Sequence, residues 1–96
     1  MTLEAIRTKI SKNKGLLEEK YNVKAIGIFG SGIRNELGKD SDIDILVEFS
    51  ESPDIFEFIK LEGFLTSLLG KKVDLVTKKA LKSLIKESIL NETVYI

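Results

Sequence analysis

Apolar residues return every three or four positions from Leu3 through Ile6, Ile10 and Leu17 to Tyr21, with lysines and glutamates between them. This spacing predicts an amphipathic helix that lays one stripe on a sheet, with Thr2 as its N-cap. Gly15 weakens the pattern locally, since glycine is a poor helix former. The period then changes. Residues 23–29 (VKAIGIF) are apolar on both parities, as in an interior strand covered on both faces. From Asp42 onward, Ile43, Ile45, Val47 and Phe49 alternate with Asp42, Asp44, Leu46 and Glu48, which predicts a second strand with one core face. If these strands are antiparallel neighbours, the end of the first and the start of the second share one edge of the sheet.

Ser52, Pro53 and Asp54 predict a helix start, with Ser52 as cap and proline in the first helical position. The helix is expected to run to about Leu69 and stop at Gly70. Its apolar positions (Ile55, Phe56, Phe58, Ile59, Leu61, Phe64, Leu65, Leu68 and Leu69) exceed the arc that one sheet face needs. A helix wedged between layers accounts for that excess, and a partner-binding strip is the alternative. Residues 72–76 form a short β-branched stretch interrupted by Asp74, a residue ill suited to strands. A last helix, capped by Thr77, would turn Leu81, Leu84, Ile85 and Ile89 inward. Residues 93–96 then read as an edge strand or docked extension. The expected fold is α/β (α+β): a small mixed β-sheet of three or four strands flanked by helices, in one domain over residues 1–96.

Composition narrows the chemistry. The 96 residues contain no cysteine and no histidine, which removes disulfides, thiolate and imidazole metal sites, cysteine nucleophiles and histidine bases. Catalysis would have to come from carboxylates. The formal net charge is zero, so stable binding to duplex DNA is not expected. Lys71, Lys72, Lys78, Lys79, Lys82 and Lys86 crowd one stretch, which reads first as a solvated helix face. With no membrane-length apolar run and no signal-peptide core, the expected location is the cytoplasm.

On a strand, Asp42 and Asp44 face the same way about 7 Å apart along the backbone. Two carboxylates so placed repel unless a cation lies between them, and hard ions such as Mg2+ prefer oxygen ligands. The turn at Gly30 and Ser31 precedes the pair, so the stretch reads as a metal and nucleotide site. Asp40 and Ser41 read as turn chemistry, and Glu48, two positions beyond Leu46, is left out.

Gly30-Ser31, ten intervening residues, Asp42-Ile43-Asp44 and the later strand residue Asp74 resemble the nucleotidyltransferase superfamily that includes DNA polymerase beta. The short chain is similar to its minimal nucleotidyltransferase (MNT) branch, whose members are commonly antitoxins paired with HEPN-domain toxins. Arg34 sits where that branch usually carries an arginine. Ile33 and Asn35 depart from its usual small residue and glycine. The resemblance implies a palm-like nucleotidyltransferase fold, ATP as substrate and two Mg2+ ions bridged by Asp42 and Asp44. Asp74 would complete the site of the ion that activates the acceptor.

The physical reading agrees. Nucleotidyl transfer asks a protein mainly to position groups and neutralise charge. Backbone N–H groups at Gly30 and Ser31 would cradle the terminal phosphates, and the Ser31 hydroxyl would add a hydrogen bond. Arg34 would reach phosphate through its forked donors, or else pair with Glu36 or Asp40.

The expected reaction is transfer of AMP from ATP to a hydroxyl, with release of pyrophosphate. No acceptor-binding domain is evident, so the acceptor would belong to another chain. The resemblance suggests a tyrosine of a HEPN toxin, making the chain an antitoxin. The alternative is a non-catalytic antitoxin that covers its partner. Transfer to a small molecule such as an aminoglycoside needs a pocket for which the chain is short. A homo-oligomer is compatible with the sequence.

Overall fold

A computed structural model describes residues 2–30, 33, 42–81 and 83–96, with the backbone alone for residues 83–85. The Thr2 hydroxyl accepts the Ala5 N–H at 3.2 Å and so caps the first helix as expected. The predicted single helix is two, α1 (Leu3–Lys12) and α2 (Lys14–Tyr21), and they break at Asn13, not at Gly15. The Asn13 side-chain amide donates to the Lys9 carbonyl at 2.9 Å, the acceptor that its own N–H would use in a continuing helix. That N–H turns to Ile10 instead, at 3.0 Å. The apolar stripe survives the break, and Ile6, Ile10 and Leu17 are all fully buried.

Asn22 ends α2 in the left-handed region, at φ 57°, a conformation asparagine tolerates. Strand β1 (Val23–Phe29) follows, and Ile26, Gly27, Ile28 and Phe29 are buried in succession, as a strand covered on both faces requires. It pairs antiparallel with β2 (Ile43–Phe49), with Phe29 opposite Asp44. On β2 the predicted core residues Ile43, Ile45 and Val47 show no exposure, and Leu46 on the other face is also buried.

The next helix, α3 (Ile55–Leu69), starts later than predicted. Its cap is Asp54, not Ser52: the Asp54 carboxylate accepts the Glu57 N–H at 2.8 Å, and Glu57 accepts the Asp54 N–H at 3.4 Å. This reciprocal pair satisfies two end donors at once, leaving Pro53 outside the helix. Gly70 stops α3 at φ 70°, as expected. The helix is not wedged between layers. Leu61, Leu65 and Leu69 enter the core, whereas Ile55, Phe56 and Ile59 are 63%, 72% and 56% exposed.

Helix α3 carries the chain from β2 to a parallel neighbour, β3 (Val73–Thr77). It also covers that strand's outer edge: Thr66 accepts the Val73 N–H at 3.2 Å and Glu62 accepts the Leu75 N–H at 3.4 Å. Thr77 does not cap the last helix. Its hydroxyl accepts the Ala80 N–H at 3.2 Å and caps a 3-10 turn at Lys78–Ala80, after which α4 (Ser83–Glu92) begins separately. Lys71 and Lys72 precede β3 whereas Lys78 and Lys79 follow it, roughly 20 Å apart at strand rise. They form no single basic strip, and Lys82 lies outside the described residues. The tail is a strand, β4 (Val94–Tyr95), antiparallel to β1. The sheet order is therefore β3-β2-β1-β4.

Candidate active site

Three strands bring their ends to one edge of the sheet. In the row across that edge, Asp74 on β3 is register partner to Asp44 on β2, and Asp44 to Phe29 on β1. Neighbouring strands lie about 4.8 Å apart, so the aspartate that fits β3 poorly by propensity stands directly beside Asp44. Asp42 lies just before β2. The Ile43 N–H bond to the Lys72 carbonyl, at 2.9 Å, fixes the start of β2 against the start of β3. The strand pattern put Asp42 and Asp44 at this edge with Ser31, and the family resemblance added Asp74; the structure brings the backbone positions of the three aspartates to one edge.

Phe29 leads directly into Gly30, whose backbone has φ 68°. A Cβ at this position would collide with the Asp44 Oδ2 and lie 3.2 Å from Asp44 Cγ. The main chain therefore passes closer to the carboxylate than any other residue allows, in a conformation that also favours glycine. The Ile33 N–H donates to the Gly30 carbonyl at 3.3 Å. Ser31 and Arg34, predicted to bind nucleotide, lie outside the described residues, as do Asp40 and Ser41.

The electrostatics are those of crowded anions. Burial first, and then the charges of Asp74, Asp42 and Glu92, push the Asp44 carboxyl above its ordinary value of 3.8; a hydrogen bond with the Asp74 side chain acts in the same direction. Asp44 therefore sits where a positive charge is favoured.

Glu92 is the residue that sequence reasoning missed. It ends α4, and its carboxylate Oε1 accepts the Gly30 N–H at 3.1 Å. One signal was available: an acid in the last turn of a helix opposes the helix dipole. Pairing of residues 93–96 beside β1 then carries that acid to Gly30. Glu48, on the aspartate side of β2, is instead bridged at 3.7 Å by both Lys24 and Lys78. A cavity of about 540 Å³ lined by Phe49, Pro53, Phe58 and Lys86 lies at the other end of β2, away from Asp44.

Comparison with known proteins gives this edge a family context. Residues 10–96 match the nucleotidyltransferase domain family. The chain is 48% identical over 96 residues to the protein adenylyltransferase MntA of Thermococcus cleftensis, covering 100% of this chain and 97% of that one. Among solved structures, it superposes on one described as a minimal nucleotidyltransferase with a TM-score of 0.84 and 32% identity, covering 98% of this chain and 95% of the other. A toxin-antitoxin structure with AMP-PNP gives a TM-score of 0.72 at 26% identity, over 92% of this chain and 69% of that one. With the fold, the row of carboxylates and the family match all in agreement, the chain belongs to the nucleotidyltransferase domain family and is an enzyme of its minimal branch.

Proposed function

We propose that this chain transfers AMP from ATP to a hydroxyl on a partner protein, in the presence of Mg2+. The observation that carries the proposal is the pairing of Asp44 with Asp74 directly across from the Gly30 backbone. The relative with 48% identity is named a protein adenylyltransferase, and the toxin-antitoxin structure with AMP-PNP supports both a nucleotide and a partner chain.

The carboxylates fit a divalent cation by their chemistry. Burial first, and then the neighbouring carboxylates of Asp74, Asp42 and Glu92, raise Asp44, and a cation beside it would relieve that crowding. Among the described residues no three His, Cys, Asp or Glu side chains stand together as a ready-made metal site; Asp42, Asp44 and Asp74 are the residues that would hold the ion. The metal would supply charge neutralisation on the phosphates and a lowered pKa for the acceptor hydroxyl. Among this chain's own groups, Gly30 offers its N–H to phosphate oxygen, joined by Ser31 and Arg34. Asp74, more exposed than Asp44, would take the acceptor proton. The acceptor oxygen forms its bond to the α-phosphorus as the bond to the β-phosphate oxygen breaks, releasing pyrophosphate.

The acceptor we favour is a tyrosine of a HEPN toxin, so that the chain acts as an antitoxin in the cytoplasm. A test combines the protein, labelled ATP, Mg2+ and its genomic neighbour. Label should appear on the neighbour and vanish with Asp42→Asn and Asp44→Asn; label that persists in both variants would sink the mechanism.

The second reading, neutralisation by binding alone, is favoured by one observation: Ile55, Phe56 and Ile59 leave an apolar patch on the outer face of α3. Neutralisation that survives Asp44→Asn but is lost with Phe56→Glu would establish it.

A further inference from the structure

The parallel strands β2 and β3 end together, with Val47 beside Thr77, and the cavity of about 540 Å³ opens at those ends. Space outside the carboxyl ends of parallel strands is where ligands commonly bind, and small-molecule sites span about 300–1,000 Å³. The apolar floor is Phe49 and Phe58, whose rings meet at 6.5 Å and an interplanar angle of 59°, with Pro53 and Ile55 beside them. Hydrogen bonds fix the walls. The Ser50 N–H and hydroxyl both donate to the Asn22 carbonyl, at 2.8 Å and 3.1 Å. The box between Asp54 and Glu57 holds the start of α3, and Thr77 holds the turn that carries Lys78 and Lys79.

Charge gives the cavity a sign. Two acids line it: Glu48 is already bridged by Lys24 and Lys78, and Asp54 is engaged at the helix cap. Lys79 and Lys86 also line it, and neither has an acidic partner among the described residues. A lysine ammonium is a compact charge that suits carboxylate or phosphate.

We propose that this cavity binds a small organic anion with a flat apolar body, the body lying on Phe49, Phe58 and Ile55 and the carboxylate or phosphate meeting Lys79 and Lys86. Its occupant is not the nucleotide of the transfer reaction. Glu48 and Asp44 lie at opposite ends of β2, roughly 13 Å apart at strand rise, so the cavity holds a second ligand at the far end of the strands that carry the aspartates. The site is also distinct from the apolar patch on α3: Ile55 borders both, but Phe56 and Ile59 do not line the cavity. An enclosed floor of this size fits a compact ligand better than the broad face of a partner chain.

The test is an amide NMR titration of the whole chain with 2-naphthoate, with neutral 2-naphthamide and with inorganic phosphate. The naphthoate should shift the amides of Phe49, Phe58 and Lys79 saturably and leave Gly30 and Asp44 unmoved. The naphthamide should bind about tenfold more weakly, the ratio expected for one lost charge-assisted contact, and phosphate alone should give no saturable shift there. Lys79→Gln combined with Lys86→Gln should abolish the preference for naphthoate with Tm unchanged; if that variant melts early, the wild-type comparison of the two naphthalenes decides alone. Equal wild-type affinity for both naphthalenes overturns the anion site, and phosphate binding as tightly as naphthoate overturns the apolar body. Shifts centred on Gly30, or no saturable shift, overturn the site itself. Two other occupants would also overturn it. An acidic peptide bearing one phenylalanine that moves the same amides at lower concentration than naphthoate assigns the cavity to a partner protein, and movement of those amides on dilution without ligand assigns it to a second copy of the chain.

Discussion

Gly30→Ala should damage the site twice, and Gly70→Ala can separate the two effects. Both glycines have nearly the same left-handed backbone, φ 68° and φ 70°. Around Gly70 an added Cβ meets nothing within 4 Å, whereas at Gly30 it collides with Asp44 and lies 3.2 Å from its Cγ. A left-handed alanine costs about 1–2 kcal/mol, of which the stiffer unfolded chain returns about 0.4–1. Gly70→Ala should therefore lose roughly 1 kcal/mol, or about 4–8 °C in Tm for a domain of this size. Gly30→Ala carries the same backbone cost and also drives the Asp44 carboxylate off its rotamer, for about another 1 kcal/mol. Its expected Tm loss is about twice as large. Calorimetric melts measure that difference, and nucleotide titration gives the functional readout. Gly70→Ala should bind an ATP analogue like wild type, while Gly30→Ala should lose binding along with the position of Asp44. Equal melts with nucleotide binding intact in Gly30→Ala would refute the claim that the backbone at Gly30 pins the carboxylate.

Three further outcomes are expected. Because Asp44 titrates above its ordinary value of 3.8 in the folded chain, the folded state holds more protons than the unfolded one between those two values. Its contribution to metal-free stability is complete below 3.8 and is lost as pH rises through the folded value. Denaturant melts across that window should show the decline in wild type and a flatter profile in Asp44→Asn, whose stability near neutral pH should equal or slightly exceed wild type. Gly27→Ala would place a Cβ 2.5 Å from Thr93 Cγ2 and should loosen the C-terminal strand, read as faster exchange of the Ile96 amide. Adding Thr93→Ser removes that methyl while keeping the hydroxyl, and should restore much of the protection. Asp54→Ala removes the α3 capping box and should cost about 1 kcal/mol in chemical denaturation.

Much of the site was legible because strand geometry is strict. A side-chain period of two places Asp42 and Asp44 on one face, and an antiparallel return brings the end of β1 back to them. Asp74 was legible as a misfit, since local preference and position disagreed there. The helix boundaries were harder. Ser52, Asp54, Asn13 and Gly15 all carry credible end signals, and the choice between them depends on which side chain finds a backbone partner, as Asp54 does in the Glu57 N–H and Asn13 in the Lys9 carbonyl. Glu92 escaped because its role depends on contact between residues 62 positions apart in the chain. The excess of apolar residues on α3 was visible, but the outward turn of Ile55, Phe56 and Ile59 depends on how far the sheet extends beneath the helix.

The cover that α3 gives to β3 has a consequence for how this small sheet meets other chains. Val73 and Leu75 present N–H groups on the outer edge, and Thr66 and Glu62 occupy them. The opposite edge strand, β4, is two residues long. Among the described residues, neither border of the sheet offers a long run of open backbone groups of the kind strand addition uses. A protein that docks on it must read side chains. Recognition written in side chains can be retuned one substitution at a time, whereas recognition through an open strand edge cannot.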